Sequence, residues 1–275
     1  MRIFQDPSVE GREARQSATD RVNNTWGFWA TAAWVAAALV LKDDLFPRFE
    51  HALLDHTAVG GAISNHLALG ALNTALVWLV PILLLLVALR IRQWPTRKYF
   101  AWVAPRPGFI VPALAAGVAL QLAGYAIPYL AGADMTASAV EQYRSTQNAG
   151  NPVWLPLFLS WPAYIAAPLV EESIFRGFLW RGWQSSPLGV RGAWILSSFV
   201  FAAYHIPKAI DMGLDGPNAT ILLSEDLLLG FLLGWLRWHA ASLVPSIAAH
   251  FAYNVIPPLV TLLIGAIVVG HLTGP

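Results

Sequence analysis

The sequence predicts an all-α fold, a polytopic membrane bundle of seven or eight transmembrane helices, and three observations carry that expectation. Of 275 residues, 56% are hydrophobic and 12% charged, about half the charged share of an ordinary soluble domain. This is more apolar surface than one globular core can hide, so the excess must face lipid. The second observation is a series of apolar runs near the roughly 20 residues that carry a helix across a bilayer. The third is that basic residues collect in alternate connections between the runs, as the positive-inside rule requires of a multi-pass chain.

Residues 1–24 hold four Arg and four acids without apolar periodicity and read as a polar cytoplasmic arm. The run 26–41 follows this arm and has no small-residue cleavage site, so it reads as a retained first span rather than a signal peptide. The runs 67–89 and 109–131 are 23 residues each, long enough to cross. Four later runs, 153–183, 191–209, 219–238 and 240–270, are apolar but contain charges. The last has Pro257-Pro258 in its middle and is either one kinked span or two short ones, which sets the count at seven or eight. The chain thus divides into the arm at 1–24, N-terminal transmembrane helices and loops over 25–150, and a polar-studded membrane region over 151–271. Thirteen Trp are present, and Trp26, Trp94, Trp180, Trp183 and Trp238 fall near span ends, where interfacial anchoring is expected.

Net charge is +1 and Cys is absent. These numbers exclude a clustered basic nucleic-acid footprint, disulfides and any thiol nucleophile. Phosphate-cradling GxxxxGK[ST], dinucleotide GxGxxG and nucleophile-elbow GxSxG motifs are also missing. Arg90, Arg92, Arg97, Lys98 and Arg106 put the 90–106 connection, and with it the N-terminus, on the cytoplasmic side.

Ionisable groups inside membrane runs are costly and usually functional. Three clusters qualify: Glu171, Glu172 and Arg176; Phe201 and His205; His250 and Asn254. If the chain turns between Ser186 and Arg191, Glu172 and His205 are equidistant from that turn, at a depth of roughly 20 to 25 Å. The i, i+4 spacing puts His250 and Asn254 on one helix face and lets Arg176 neutralise Glu172, leaving Glu171 free. Glu171 with His205 then suits activation of a water, and His250 with Asn254 suits stabilisation of an oxyanion. A zinc reading uses Glu171, His205 and His250 with water as the fourth ligand, although no HExxH is present. Singly, each residue also has a structural reading: a surface ion pair for the glutamates and Arg176, helix-packing hydrogen bonds for the histidines and Asn254. Glu225 and Asp226 read either as a solvated helix start capped by Ser224 or as partners of Asn254 and His250, and are left out of catalysis. His51, His56, His66, His239 and His271 read as loop or interface residues.

Taken in this order within apolar helices, Glu171-Glu172-x-x-x-Arg176, Phe201-x-x-x-His205 and His250-x-x-x-Asn254 resemble the CAAX prenyl endopeptidases and bacteriocin-processing proteins, the Rce1-like or ABI family. The resemblance covers roughly 153–258. It implies a helical intramembrane endopeptidase reached from the cytoplasm, acting near the C-terminus of a peptide or prenylated protein among membrane lipids. It also implies that Glu171 and His205 activate water, that His250 and Asn254 hold the oxyanion, and that Glu172 and Arg176 support them. Both glutamate and metal-dependent mechanisms have been proposed for that family. The alternatives from other classes are a non-catalytic binding or bacteriocin-immunity protein using the same pocket, and a proton-coupled transporter, which predicts a repeat symmetry the sequence lacks.

Overall fold

The computed structural model describes residues 25–45, 66–130, 160–214 and 216–273, with residues 48, 144, 157 and 158 besides. The polar arm and most of the connections 42–66 and 132–151 lie outside them. Among the described residues every element is helical.

The first helix, α1 (Gly27–Val40), continues into one π-helical turn, Leu41–Leu45. Helix α2 (His66–Ile91) carries Pro81 in its interior, and a short turn, α3 (Thr96–Tyr99), precedes α4 (Ile110–Leu130). The fourth apolar run is helical from Pro162 to Gln184, but its register changes twice. Ala167 N–H reaches the Pro162 carbonyl five residues back, and Trp180 N–H likewise reaches Phe175. Two π segments, Pro162–Ala166 and Ser173–Leu179, therefore flank α5 (Ala167–Glu172), and α6 (Trp180–Gln184) completes the run. Such π insertions gather at functional sites, and this pair brackets both glutamates.

Helix α7 (Gly189–Tyr204) ends where Pro207 withholds an N–H, so His205 caps it and a short α8 (Ile206–Asp211) follows. Then come α9 (Gly216–Ala240) and α10 (Val244–Thr273). The final run is thus one helix that passes through Pro257 and Pro258 rather than two spans. A prolyl pair in a membrane helix is tolerated where neighbouring helices re-satisfy the freed carbonyls.

Among the described residues, four stretches can cross a membrane by length and composition: Ile110–Ile127, Gly189–Asp211, Gly216–Ala240 and Val244–Ile264. They identify an integral membrane protein. Their low internal burial is the signature of helices with a lipid-facing side, and Val111, Phe199, Ile210, Leu228 and Leu263 are among the large apolar side chains left exposed.

Close backbone approach sets the packing. Gly117 on α4 lies against the Ala249 backbone of α10, and a Cβ there would collide with it. Gly182 on α6 makes the same room for Thr31 of α1, and Gly230 on α9 rests on the Ser198 backbone of α7. Small residues at crossings are how membrane helices gain dispersion contact when no hydrophobic drive separates them from lipid. Ser246 donates to the Leu233 carbonyl (2.8 Å) and ties α10 to α9.

One end of the bundle is closed by aromatic rings. Phe28 stacks on Trp183, Trp94 stacks on Tyr99, and Phe178 packs against Tyr99 and Phe100. Trp183 donates to the Phe28 carbonyl (3.2 Å), and Ser242 and Leu243 bond the Val103 and Ala101 carbonyls. Trp180 and Trp183 are therefore core residues, correcting their expected role as interfacial anchors: the π register turns both inward, against α9 and α1. Burial raises the Tyr99 phenol pKa well above its ordinary value, with Arg181 opposing.

Candidate active site

Glu171 and Glu172 end α5, between the two π segments, and both are buried. Glu172 accepts from Arg176 Nη1 at 2.9 Å, an i, i+4 pair with no exposure on either side chain. Arg176 is enclosed on every side. Its Nη2 donates to the Gly230 carbonyl (2.9 Å), its guanidinium lies 4.3 Å over the Phe201 ring, and its own carbonyl accepts from Arg237 Nε (3.1 Å). These bonds offset part of the cost of burying the charges, while Arg176 Nε and Glu172 Oε2 have no hydrogen-bond partner among the described residues.

His250 is the imidazole that meets the glutamates. Its Nδ1 lies 3.2 Å from Glu172 Oε1 and its Nε2 lies 3.9 Å from Glu171 Oε2. Equal depth on the two helices joined by one turn does not decide which histidine touches Glu172, and the lateral arrangement brings His250 to it. His205, displaced by the break at Pro207, donates from Nδ1 to the Phe201 carbonyl (2.9 Å), which leaves Nε2 as its free nitrogen. Its nearest acid is Asp226, whose Oδ2 is 3.9 Å from Nδ1.

Asn254 Nδ2 donates to the Ala163 carbonyl at 2.8 Å. The local backbone explains that bond. Ala167 N–H is committed to Pro162, and the next donor, at position 168, is a proline. The Ala163 carbonyl therefore has no N–H in its own helix and takes one from α10. An amide nitrogen has two protons, so one remains for another acceptor.

Glu171, His205, His250 and Asn254 all line one cavity of about 1390 Å³. Glu172 and Arg176 stand behind it. Leu39, Val40, Trp78, Leu222 and Leu262 give its wall an apolar part, and Asp43, Asp44, Lys208 and Asp211 a charged one.

Glu225 and Asp226 also line it. They sit within α9, which begins at Gly216, so neither is at a solvated helix start. Glu225 accepts from the Tyr253 hydroxyl and nestles against Gly124, where a Cβ would come within 2.7 Å of Oε1. The expected bonds from Glu225 to Asn254 or His250 are not formed among the described contacts; Asp226 is instead the acid beside a histidine. Two adjacent acids in an otherwise apolar helix were the signal for it. His239 is exposed at the end of α9, as expected, whereas His51 and His56 lie outside the described residues.

The alternative zinc set of Glu171, His205 and His250 does not fit a metal. Among the described residues no three His, Cys, Asp or Glu side chains converge on one point, as coordination bonds of about 2 Å require.

The cavity has a definite mouth. Its exposed lining comes from Val40 and Asp43 at the C-terminal end of α1 and the turn after it, from Ala163 in the first π segment, and from Ala203, Pro207, Lys208, Asp211 and Met212 at the end of α7 and around α8. No residue from 90–106, 181–191 or 237–243 lines it.

No curated protein and no solved structure matches the chain. One family model does, that of type II CAAX prenyl endopeptidase Rce1-like proteins, over residues 152–256. The match spans both glutamates, both histidines, Arg176 and Asn254, so this region of the chain is similar to that family over all of the candidate site residues.

Proposed function

We propose that the protein is an intramembrane endopeptidase in which Glu171 activates the attacking water. The observation that carries this reading is that a glutamate with no arginine or lysine paired to it among the described residues shares one cavity with two imidazoles and a side-chain amide, beside a second glutamate paired with arginine. Glu171 accepts a proton from water while the water oxygen bonds the scissile carbonyl carbon. His205 holds that water through its free Nε2. The developing oxyanion is met by the His250 imidazole, which Glu172 orients through Nδ1, and by the second N–H of Asn254. When the C–N bond breaks, the amine leaves with the proton that Glu171 took.

The helical runs are read as seven crossings, with α10 as one. Part of the cavity wall is apolar, and the proposal includes a prenylated substrate whose lipid chain lies against it. The test compares the purified protein with Glu171→Gln on fluorogenic peptides with and without a prenylated cysteine. Cleavage lost by at least a hundredfold at unchanged thermal stability supports the reading. Equal cleavage by both sinks the glutamate assignment, and no cleavage by either favours a binding protein.

A further inference from the structure

Helix α4 lies outside the matched region, yet it forms part of the cavity wall. Along its length every residue is apolar, Gly or Pro except Gln121, Tyr125 and Tyr129. Gln121 and Tyr125 are spaced i, i+4 and so share a helix face, and both line the cavity. Gln121 is 7% exposed, and no hydrogen bond ties its amide or the Tyr125 hydroxyl to another described residue. Polar groups inside membrane helices are rare and mark pathways and binding sites. These two remain available to whatever occupies the cavity.

Their position relative to the site follows from how α4 meets α10. The two helices start at the same end, where the Leu243 N–H bonds the Ala101 carbonyl and Ser242 bonds the Val103 carbonyl. They cross at Gly117 and Ala249. Further along, Tyr125 interacts electrostatically with Tyr253 and with Glu225, the acceptor of the Tyr253 hydroxyl. The helices therefore run in the same direction. Four residues past the crossing, about 6 Å on, Gln121 is level with Tyr253 and one residue from the level of Asn254, the amide of the site.

A glutamine amide both donates and accepts, and a phenol does the same. This is the complement of a peptide unit, which offers one N–H and one C=O. Groups on one side of an extended chain recur every two residues, at roughly 6.6–6.8 Å, close to the rise of about 6 Å between i and i+4 on a helix. Neither side chain is an ion at neutral pH, so the pair suits main chain rather than a charged side chain.

We propose that Gln121 and Tyr125 bind the backbone of an extended substrate segment beside the reacting bond. The ligand class is a peptide main chain whose N–H and C=O groups are unpaired; a helical segment has already spent those groups on itself. The proposal deepens the peptidase reading, and rests on it for the reacting bond.

The test measures binding apart from cleavage. A fluorescein-labelled decapeptide of alternating valine and serine is titrated by anisotropy into the full chain carrying Glu171→Gln in detergent micelles, and into the same protein with Gln121→Leu or Tyr125→Phe added. Gln121→Leu is expected to raise Kd at least tenfold and Tyr125→Phe at least threefold, at unchanged thermal stability. Depsipeptide analogues then replace one backbone N–H at a time by an ester oxygen. One replacement is expected to weaken binding to the parent at least threefold and leave binding to the Gln121→Leu protein unchanged, a coupling that altered folding alone does not produce. Unchanged Kd in Gln121→Leu, ester penalties equal in both proteins, or no binding by the parent overturns the proposal. Binding as expected, with no cleavage of the same peptide once Glu171 is restored, would leave the strip supported and count against the peptidase reading.

Discussion

His250 Nδ1 lies 3.2 Å from the same Glu172 oxygen that accepts from Arg176. One carboxylate thus orients the imidazole from behind while its charge is spent on arginine. This leaves Glu171, one residue earlier and turned about 100° on the helix, as the acid facing the cavity.

Breaking the buried pair by Arg176→Met leaves Glu172 uncompensated and should cost about 3–5 kcal/mol. Adding Glu172→Gln should recover much of that loss, because the second charge is then also gone. Denaturant unfolding in detergent micelles of the two single variants and the double variant measures the coupling.

Asn254→Ala removes one N–H aimed at the oxyanion and should lower kcat by about 10²–10³ with little change in KM. It also frees the Ala163 carbonyl, for roughly 1 kcal/mol of stability. Steady-state kinetics paired with a thermal melt separates the two effects.

Asp226 lies beside His205 without a hydrogen-bonding distance to it, so it acts on the ring by field and shape. Asp226→Asn keeps the shape and should reduce kcat by about tenfold, one pKa unit's worth of differential interaction, and change the acid limb of the pH–rate profile. An unaltered profile would make Asp226 a packing residue only.

Gly117→Leu forces α4 away from α10 at their closest crossing. Overpacking of this kind costs about 1–3 kcal/mol or more, and here it also widens the cavity wall carrying Gln121 and Tyr125. Lower folded yield and faster unfolding in detergent are expected, whereas Gly108→Ala, at a position with open space but positive φ, should show only the smaller backbone penalty.

The candidate site residues stand out in the sequence because ionisable groups are rare in apolar runs, and the i, i+4 spacing of Glu172 and Arg176 translates directly into contact. What could not be read was lateral arrangement. Which histidine meets Glu172 depends on how α7 and α10 sit around α5, and a hairpin depth argument contains no such information. The π segments were equally hidden, since Ser173–Leu179 has no proline or sequence period marking its extra residue. Trp180 and Trp183 were misplaced for that reason: they fall near the end of an apolar run, yet the widened register turns them inward. Ser224 before two acids is also the pattern of a solvated helix start, which hides the place of Asp226 in the cavity wall, whereas α9 begins two turns earlier at Gly216.

The register shift over Ser173–Leu179 also makes the spacing of this run intolerant of indels. Removing one residue there would restore an ordinary α-helix and save an irregular turn, yet rotate everything downstream by about 100°. Gly182 would leave Thr31, Trp183 would leave Phe28, and the first helix would lose its seat. The extra residue in that turn is therefore what allows a single helix to serve two neighbours at incompatible angles, the glutamates facing one and the tryptophans the other.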